Sequence, residues 1–351
     1  MFHTVTGFFV SYPRNRHNRP KLFRVDIHAP RRSTVALATA GALASTGTAY
    51  LGARNLLVGQ ATHVRTVIPK AWGTPPRADG VYGPGGEPAQ RWRRGVPFDL
   101  HIMMFGDSTA TGYGCASADE VPGVLLARGI ADETGTRVRL STKAIVGATS
   151  RGLCGQVDAM FVAGPPPDAA VILVGANDVT ALNSIGPSAR RLATCVRKLR
   201  ARDAVVVVGT CPDFGMIPAI PQPLRSVAHQ RSLQLARAQA SAVKSADGAA
   251  VPLAQLLAPK FRAMPDAMFC RDRYHPSALG YALAAEHLLP ALRVELAEKR
   301  GTPMPELPAR PTAPTLTSEH TRRSVMSRLW RRPAPDHAPA MPTPVAAPTS
   351  G

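Results

Sequence analysis

Ala169-Ala170-Val171-Ile172-Leu173-Val174 runs without a polar residue into Gly175-Ala176-Asn177-Asp178. Six apolar residues closed by a turn are the length of one buried strand, too short for an amphipathic helix. Similar runs lie on either side, at 98–105, 137–146, Ala204 to Gly209 and 249–254. Between them come helix-like stretches at 119–133, near 153–162, near 187–202 and near 226–246. A last helix follows Ser277, a fitting N-cap, and runs to about Glu298 with a kink expected at Pro290. Short buried runs alternating with helices predict a three-layer α/β/α sandwich around a central parallel sheet, the strands joined by right-handed crossovers.

The rest of the 351 residues flanks this pattern. The formal charge of +19 is unevenly spread: residues 1–94 hold 14 Lys/Arg against 3 Asp/Glu, 95–298 hold 20 against 17, and 299–351 hold 8 against 3. A nucleic-acid enzyme would carry its basic surface on the folded block, so nucleic acid is not the expected partner. Residues 1–32 form a basic leader. Ser33 to Ala53 contains no charged residue and lies between Arg31-Arg32 and Arg54, a targeting pattern. Residues 33–54 are therefore read as a signal peptide or a membrane anchor, with cleavage and retention both open. The positive charge on its N-terminal side predicts that the chain beyond residue 54 lies outside the cytoplasm, secreted or held at the cell envelope.

Residues 55–97 are read as a linker and lead-in, 71–97 being rich in Gly, Pro and Arg, and the folded domain is expected from Phe98 to Glu298. Residues 299–351 are read as a disordered basic, Pro/Ala-rich tail. Within it Arg322 to Arg332 interleaves Val325, Leu329 and Trp330 with arginines, and either lies on an anionic membrane surface or is simply solvated. A monomer is expected.

In an open α/β sheet the chemistry collects beyond the carboxyl ends of the strands. After the first run comes Gly106-Asp107-Ser108, a serine on a tight turn into a helix, with its oxygen exposed and its backbone N–H directed at the same point. After the second comes Gly147, where a glycine lets a ligand approach the backbone N–H closely. The third ends at Gly175-Ala176-Asn177-Asp178, which offers a side-chain amide donor at the strand end. Just before the last helix lies Asp272-Arg273-Tyr274-His275-Pro276, a spacing that lets carboxylate and imidazole converge from one loop. Each block alone is ordinary turn composition.

Taken together and in this order, the blocks resemble those of the SGNH (GDSL-type) hydrolases, over about residues 98–298. Within that family the chain is most similar to the exported GDSL-type esterases of mycobacteria and related actinobacteria. The resemblance implies Ser108 as nucleophile, His275 as base and Asp272 as the group that orients it. It also implies an oxyanion hole made of the Ser108 and Gly147 backbone N–H groups and the Asn177 side chain, with Asp178 holding the loop. No GxSxG elbow surrounds Ser108, which separates the chain from the α/β-hydrolases proper.

The implied activity is hydrolysis of carboxylic esters with short acyl chains. The alternatives are a deacetylase or O-acyltransferase acting on envelope glycans or lipids, and a binding protein with a vestigial triad. No cofactor is implied, and five cysteines without zinc-type spacing imply no metal. Cys115, Cys154, Cys211 and Cys270 are all expected at the same rim. In an oxidising compartment this gives Cys115–Cys154 and Cys211–Cys270 bridges with Cys195 free; buried free thiols are the alternative.

Overall fold

A computed structural model describes residues 49, 51–64, 66, 74–163 and 165–301. The leader at 1–32, most of the 33–54 targeting stretch and the tail beyond 301 lie outside the described residues. Among the described residues, no helix is long and apolar enough to cross a membrane.

The sheet has six strands: β1 (Gly80–Tyr82), β2 (Leu100–Gly106), β3 (Val138–Thr142), β4 (Ala169–Leu173), β5 (Val205–Gly209) and β6 (Ala249–Val251). Their order is β1-β3-β2-β4-β5-β6. The last five in that order are parallel, whereas β1 pairs antiparallel with β3, so the expected parallel sheet is mixed at one edge. β1 falls in the stretch read as a lead-in. With three residues, the Gly80-Val81-Tyr82 run is too short to show alternation, and it is fixed by pairing: Val81 also exchanges backbone bonds with Gln90 at 2.7 and 2.9 Å.

The helices are α1 (51–64), α2 (Ser108–Thr111), α3 (Pro122–Thr134), α4 (Ser150–Ala163), α5 (Ala176–Thr180), α6 (Ile185–Arg200), α7 (Leu224–Lys244), α8 (Leu253–Ala263), α9 (Pro265–Met268) and α10 (Ala278–Arg300). Alternation along the strands divides the core in two. Leu100, Ile102, Met104, Val171 and Val207 face α3, α8 and α10, where Ile130, Leu257, Leu288 and Leu292 complete one cluster. Met103, Phe105, Ile172, Val206 and Val208 face the other way, onto Leu153, Val157, Leu192 and Val196 of α4 and α6. Each fully buried side chain of this size contributes about 1.5–3 kcal/mol, which is why the strands need no polar face. Ser277 caps α10 by accepting from Gly280 N at 3.2 Å, and the helix continues through Pro290 to Arg300.

Apart from the edge strand, β3-β2-β4-β5-β6 is a doubly wound order that reverses between β2 and β4. The crevice of such a sheet opens at that reversal, beyond the carboxyl ends of the two strands. Those ends carry Gly106-Asp107-Ser108 and Gly175-Ala176-Asn177.

Candidate active site

β2 ends on a glycine for a steric reason. Gly106 has φ +130°, and a Cβ there would lie 1.8 Å from Leu173 O on β4. The strand can therefore pass close to its neighbour and turn at once into α2, with Ser108 as the first residue of that helix. Asp107 caps the helix, its side chain accepting from Thr109 N at 2.9 Å. It is buried beside the site, and burial raises its pKa to about 6, opposed by hydrogen bonds from Thr109 and by electrostatic attraction to His275. Gln156 of α4 completes the turn: its carbonyl accepts from Gly106 N and its amide donates to Gly106 O, each at 2.8 Å.

The loop before α10 delivers the other two groups. His275 Nε2 lies 3.1 Å from Ser108 Oγ, and His275 Nδ1 lies 2.6 Å from Asp272 Oδ2. Asp272 Oδ1 accepts from the backbone of Tyr274 and His275 and from the Cys270 thiol, all at 2.9 Å. Burial would raise the Asp272 pKa, but hydrogen bonds from the His275 ring, the Cys270 thiol and the two amides outweigh it and hold the carboxyl well below its usual range. An ionised carboxylate can only accept, so Nδ1 carries the proton, and in the neutral ring Nε2 turns its lone pair to Ser108. The ring is held by Tyr113 and Tyr274, with centroids 4.4 and 5.0 Å away. Ser108 and His275 are only 6% and 9% exposed, which keeps bulk water off the pair.

The three expected oxyanion donors lie on neighbouring strand ends. Ser108 N, at the start of α2, and Gly147 N, on the turn after β3, have no acceptor among the described residues. Asn177 Nδ2 spends one hydrogen on Ala148 O at 3.0 Å, which ties α5 to the Gly147 turn and leaves its second hydrogen for a ligand. Gly175 permits this placement with φ +137°, where a Cβ would meet Gln239 Nε2 at 2.9 Å. Asp178 accepts from Ser150 N, Ser150 Oγ, Asn183 Nδ2 and Ser188 Oγ at 2.7–3.0 Å. It holds the loop.

Sequence reading missed the braces. Gln156 and Gln239 are both buried; Gln239 donates to Val174 O at 2.9 Å and accepts from Cys211 N at 2.7 Å, joining the ends of β4 and β5. The only sequence signal was an amide on the apolar face of each helix. A small cavity of about 60 Å³ opens from Ser108 and His275 toward Leu253, Leu257 and Phe261. Phe214, Met216 and Ile217, which also line it, follow Asp213, whose carboxylate accepts from Gly215 N at 2.7 Å and pairs with His229 at 2.5 Å and with Arg262. Among the described residues, no cluster of three or more His, Cys, Asp or Glu is arranged to hold a metal.

All five cysteines are free thiols, so the expected bridges are corrected. Cys115 and Cys154 pack on opposite faces of the sheet, in the two separate core clusters, and cannot meet. Cys211 packs at the Gly175 turn, while Cys270 sits against Gly114 and donates to Asp272. Burial pushes the Cys270 thiol up to about 11, which keeps it a donor. Cys195 lies 3.3 Å from Cys154.

Residues 104–283 match the GDSL-like Lipase/Acylhydrolase family. The chain is 73% identical over 314 residues to the GDSL-like esterase Rv1075c of Mycobacterium tuberculosis, an alignment covering 90% of this chain and 99% of that one. Among solved structures it is similar to the psychrotrophic esterase EstA from Pseudoalteromonas, at 19% identity and TM-score 0.45, over 56% of this chain and 99% of that one. It is also similar to a lipase/acylhydrolase from Enterococcus faecalis, at 23% identity and TM-score 0.44, over 55% and 94%.

Proposed function

The chain belongs to the GDSL-like lipase/acylhydrolase family and is a carboxylic ester hydrolase, and from that premise we propose that Ser108, His275 and Asp272 are its catalytic triad. The observation that carries the reading is the unbroken line from Asp272 Oδ2 through the His275 ring to Ser108 Oγ, 2.6 and 3.1 Å, at the mouth of an apolar cavity. His275 Nε2 takes the Ser108 proton as Oγ attacks the ester carbonyl. Asp272 stabilises the imidazolium that results. Collapse of the tetrahedral intermediate expels the alcohol, protonated by His275, and leaves an acyl-Ser108. Water then attacks the acyl carbon as it gives a proton to His275, and the acid leaves as His275 returns that proton to Ser108 Oγ.

The oxyanion is bound by the Ser108 and Gly147 N–H groups and the free Asn177 N–H. Asn177→Ala is expected to lower kcat on the order of 100- to 1000-fold with little change in KM, measured on p-nitrophenyl acetate. The small volume beyond Ser108 supports short acyl groups. Export, with the catalytic domain outside the cytoplasm, is part of the same proposal and is supported by the uncharged 33–53 stretch behind Arg31-Arg32. The deciding experiment is labelling with a serine-directed phosphonate followed by peptide mapping. Label on Ser108 sustains the triad, and label on another serine, or none on active enzyme, removes it.

A further inference from the structure

Outside the active site, α4 and α6 are joined by three side-chain contacts, about one helical turn apart. Arg191 Nε donates to Ser150 Oγ at 3.1 Å, Cys195 Sγ to Cys154 Sγ at 3.3 Å, and Lys198 Nζ pairs with Asp158 at 2.5 Å. Residues 150, 154 and 158 are one stripe of α4, and 191, 195 and 198 are the facing stripe of α6. The contacts above and below fix the register of the two helices, so the sulfurs between them are held together and not merely near one another.

We propose that Cys154 and Cys195 are a disulfide site, closed when the folded chain meets a small-molecule disulfide or a disulfide-exchanging oxidoreductase. Access sets the order of events. Cys154 is half-buried, whereas Cys195 is fully buried. Cys154 reacts first: its thiolate attacks one sulfur of the oxidant RSSR, forms a mixed disulfide and expels RS⁻. Cys195, after losing its proton, attacks the Cys154 sulfur and displaces the second RS⁻. The protein loses two protons and two electrons, and RSSR becomes two RSH. Burial pushes the Cys195 thiol well above its ordinary range, so the second step is the slow one.

The other three thiols do not share this geometry. Cys115, Cys211 and Cys270 pack on the far side of the sheet or at the site, and Cys270 is engaged by Asp272. The bridge would close a 41-residue separation and pin the start of α4, where Ser150 bonds to Asp178 next to Asn177. An exported chain meets such oxidants routinely.

The test uses the full chain. After incubation with oxidised glutathione, remaining thiols are alkylated and the protein is digested with trypsin, which separates Cys154 (152–190) from Cys195 (192–197). The expected result is one linked pair of these two peptides, a mass about 2 Da lower than the reduced chain, and alkylation of the other three cysteines. Oxidised wild type should melt roughly 5–10 °C above the reduced protein, and Cys154→Ser should abolish that difference. Recovery of both peptides alkylated, or of 152–190 linked to any other cysteine, overturns the proposal. The wild-type map gives this answer whether or not the variant folds.

Discussion

Ser108→Ala will lower kcat for p-nitrophenyl acetate on the order of a million-fold, while leaving the melting temperature and KM close to those of wild type. The hydroxyl makes a single hydrogen bond that matters here, to His275 Nε2, and no packing depends on it beyond what a methyl supplies. The fold of the turn comes from Gly106, the Asp107 cap and the Gln156 brace, and all three remain. Some turnover above the uncatalysed rate should persist, because the oxyanion donors still bind the substrate carbonyl and water can attack it. If the variant turns over alongside the wild type, the nucleophile lies elsewhere.

Asp272→Asn is expected to cost on the order of 10⁴-fold in kcat with the loop intact. Asparagine keeps one carbonyl oxygen, enough to accept from the Tyr274 and His275 amides in place of Oδ1. Its NH₂ would then face His275 Nδ1 as a donor. The ring answers by moving its proton to Nε2, which presents N–H instead of a lone pair to Ser108. Asp272→Ala loses the backbone bonds as well, so it should also lower the melting temperature. Steady-state kinetics and melting curves of the two variants separate orientation of the imidazole from support of the loop. Equal kcat for Asp272→Asn and wild type would take the carboxylate out of the mechanism.

Much of the fold, and the residues that meet at the candidate site, were legible in the sequence because the decisive signals are local. The uninterrupted run 169–174 is a strand since nothing in it can face water, and Gly106, Gly147 and Asn177 could be found by looking just past each run. The strand expected at 98–105 is β2, shifted by one or two residues, and the helix expected near 226–246 is α7. What stayed hidden depends on contacts distant in sequence. β1 exists only through its pairing with β3, and α8 and α9 fall largely between the apolar run at 249–254 and the Asp272 block, where no element was expected. The cysteine pairs failed for the same reason. Position after a strand gives the end of the sheet on which a thiol lies but not which face, and Cys154 lies on the α4 side with Cys195. Gln156 and Gln239 gave no motif, since a brace is recognised only by what it holds.

The antiparallel edge has a bearing on how the protein behaves at high concentration. A parallel sheet ending at β3 would leave a row of unpaired amides and carbonyls along a buried-type strand, a template for another chain. Here the chain covers that row itself with β1, and β1 is in turn covered at Val81 by Gln90, while β6 at the opposite edge is only three residues long. Residues 80–90 thus close an edge at which a second chain could otherwise pair. A protein trimmed at Phe98, where the apolar pattern begins, is expected to keep Ser108, Asp272 and His275 yet to scatter light at concentrations where the untrimmed protein does not.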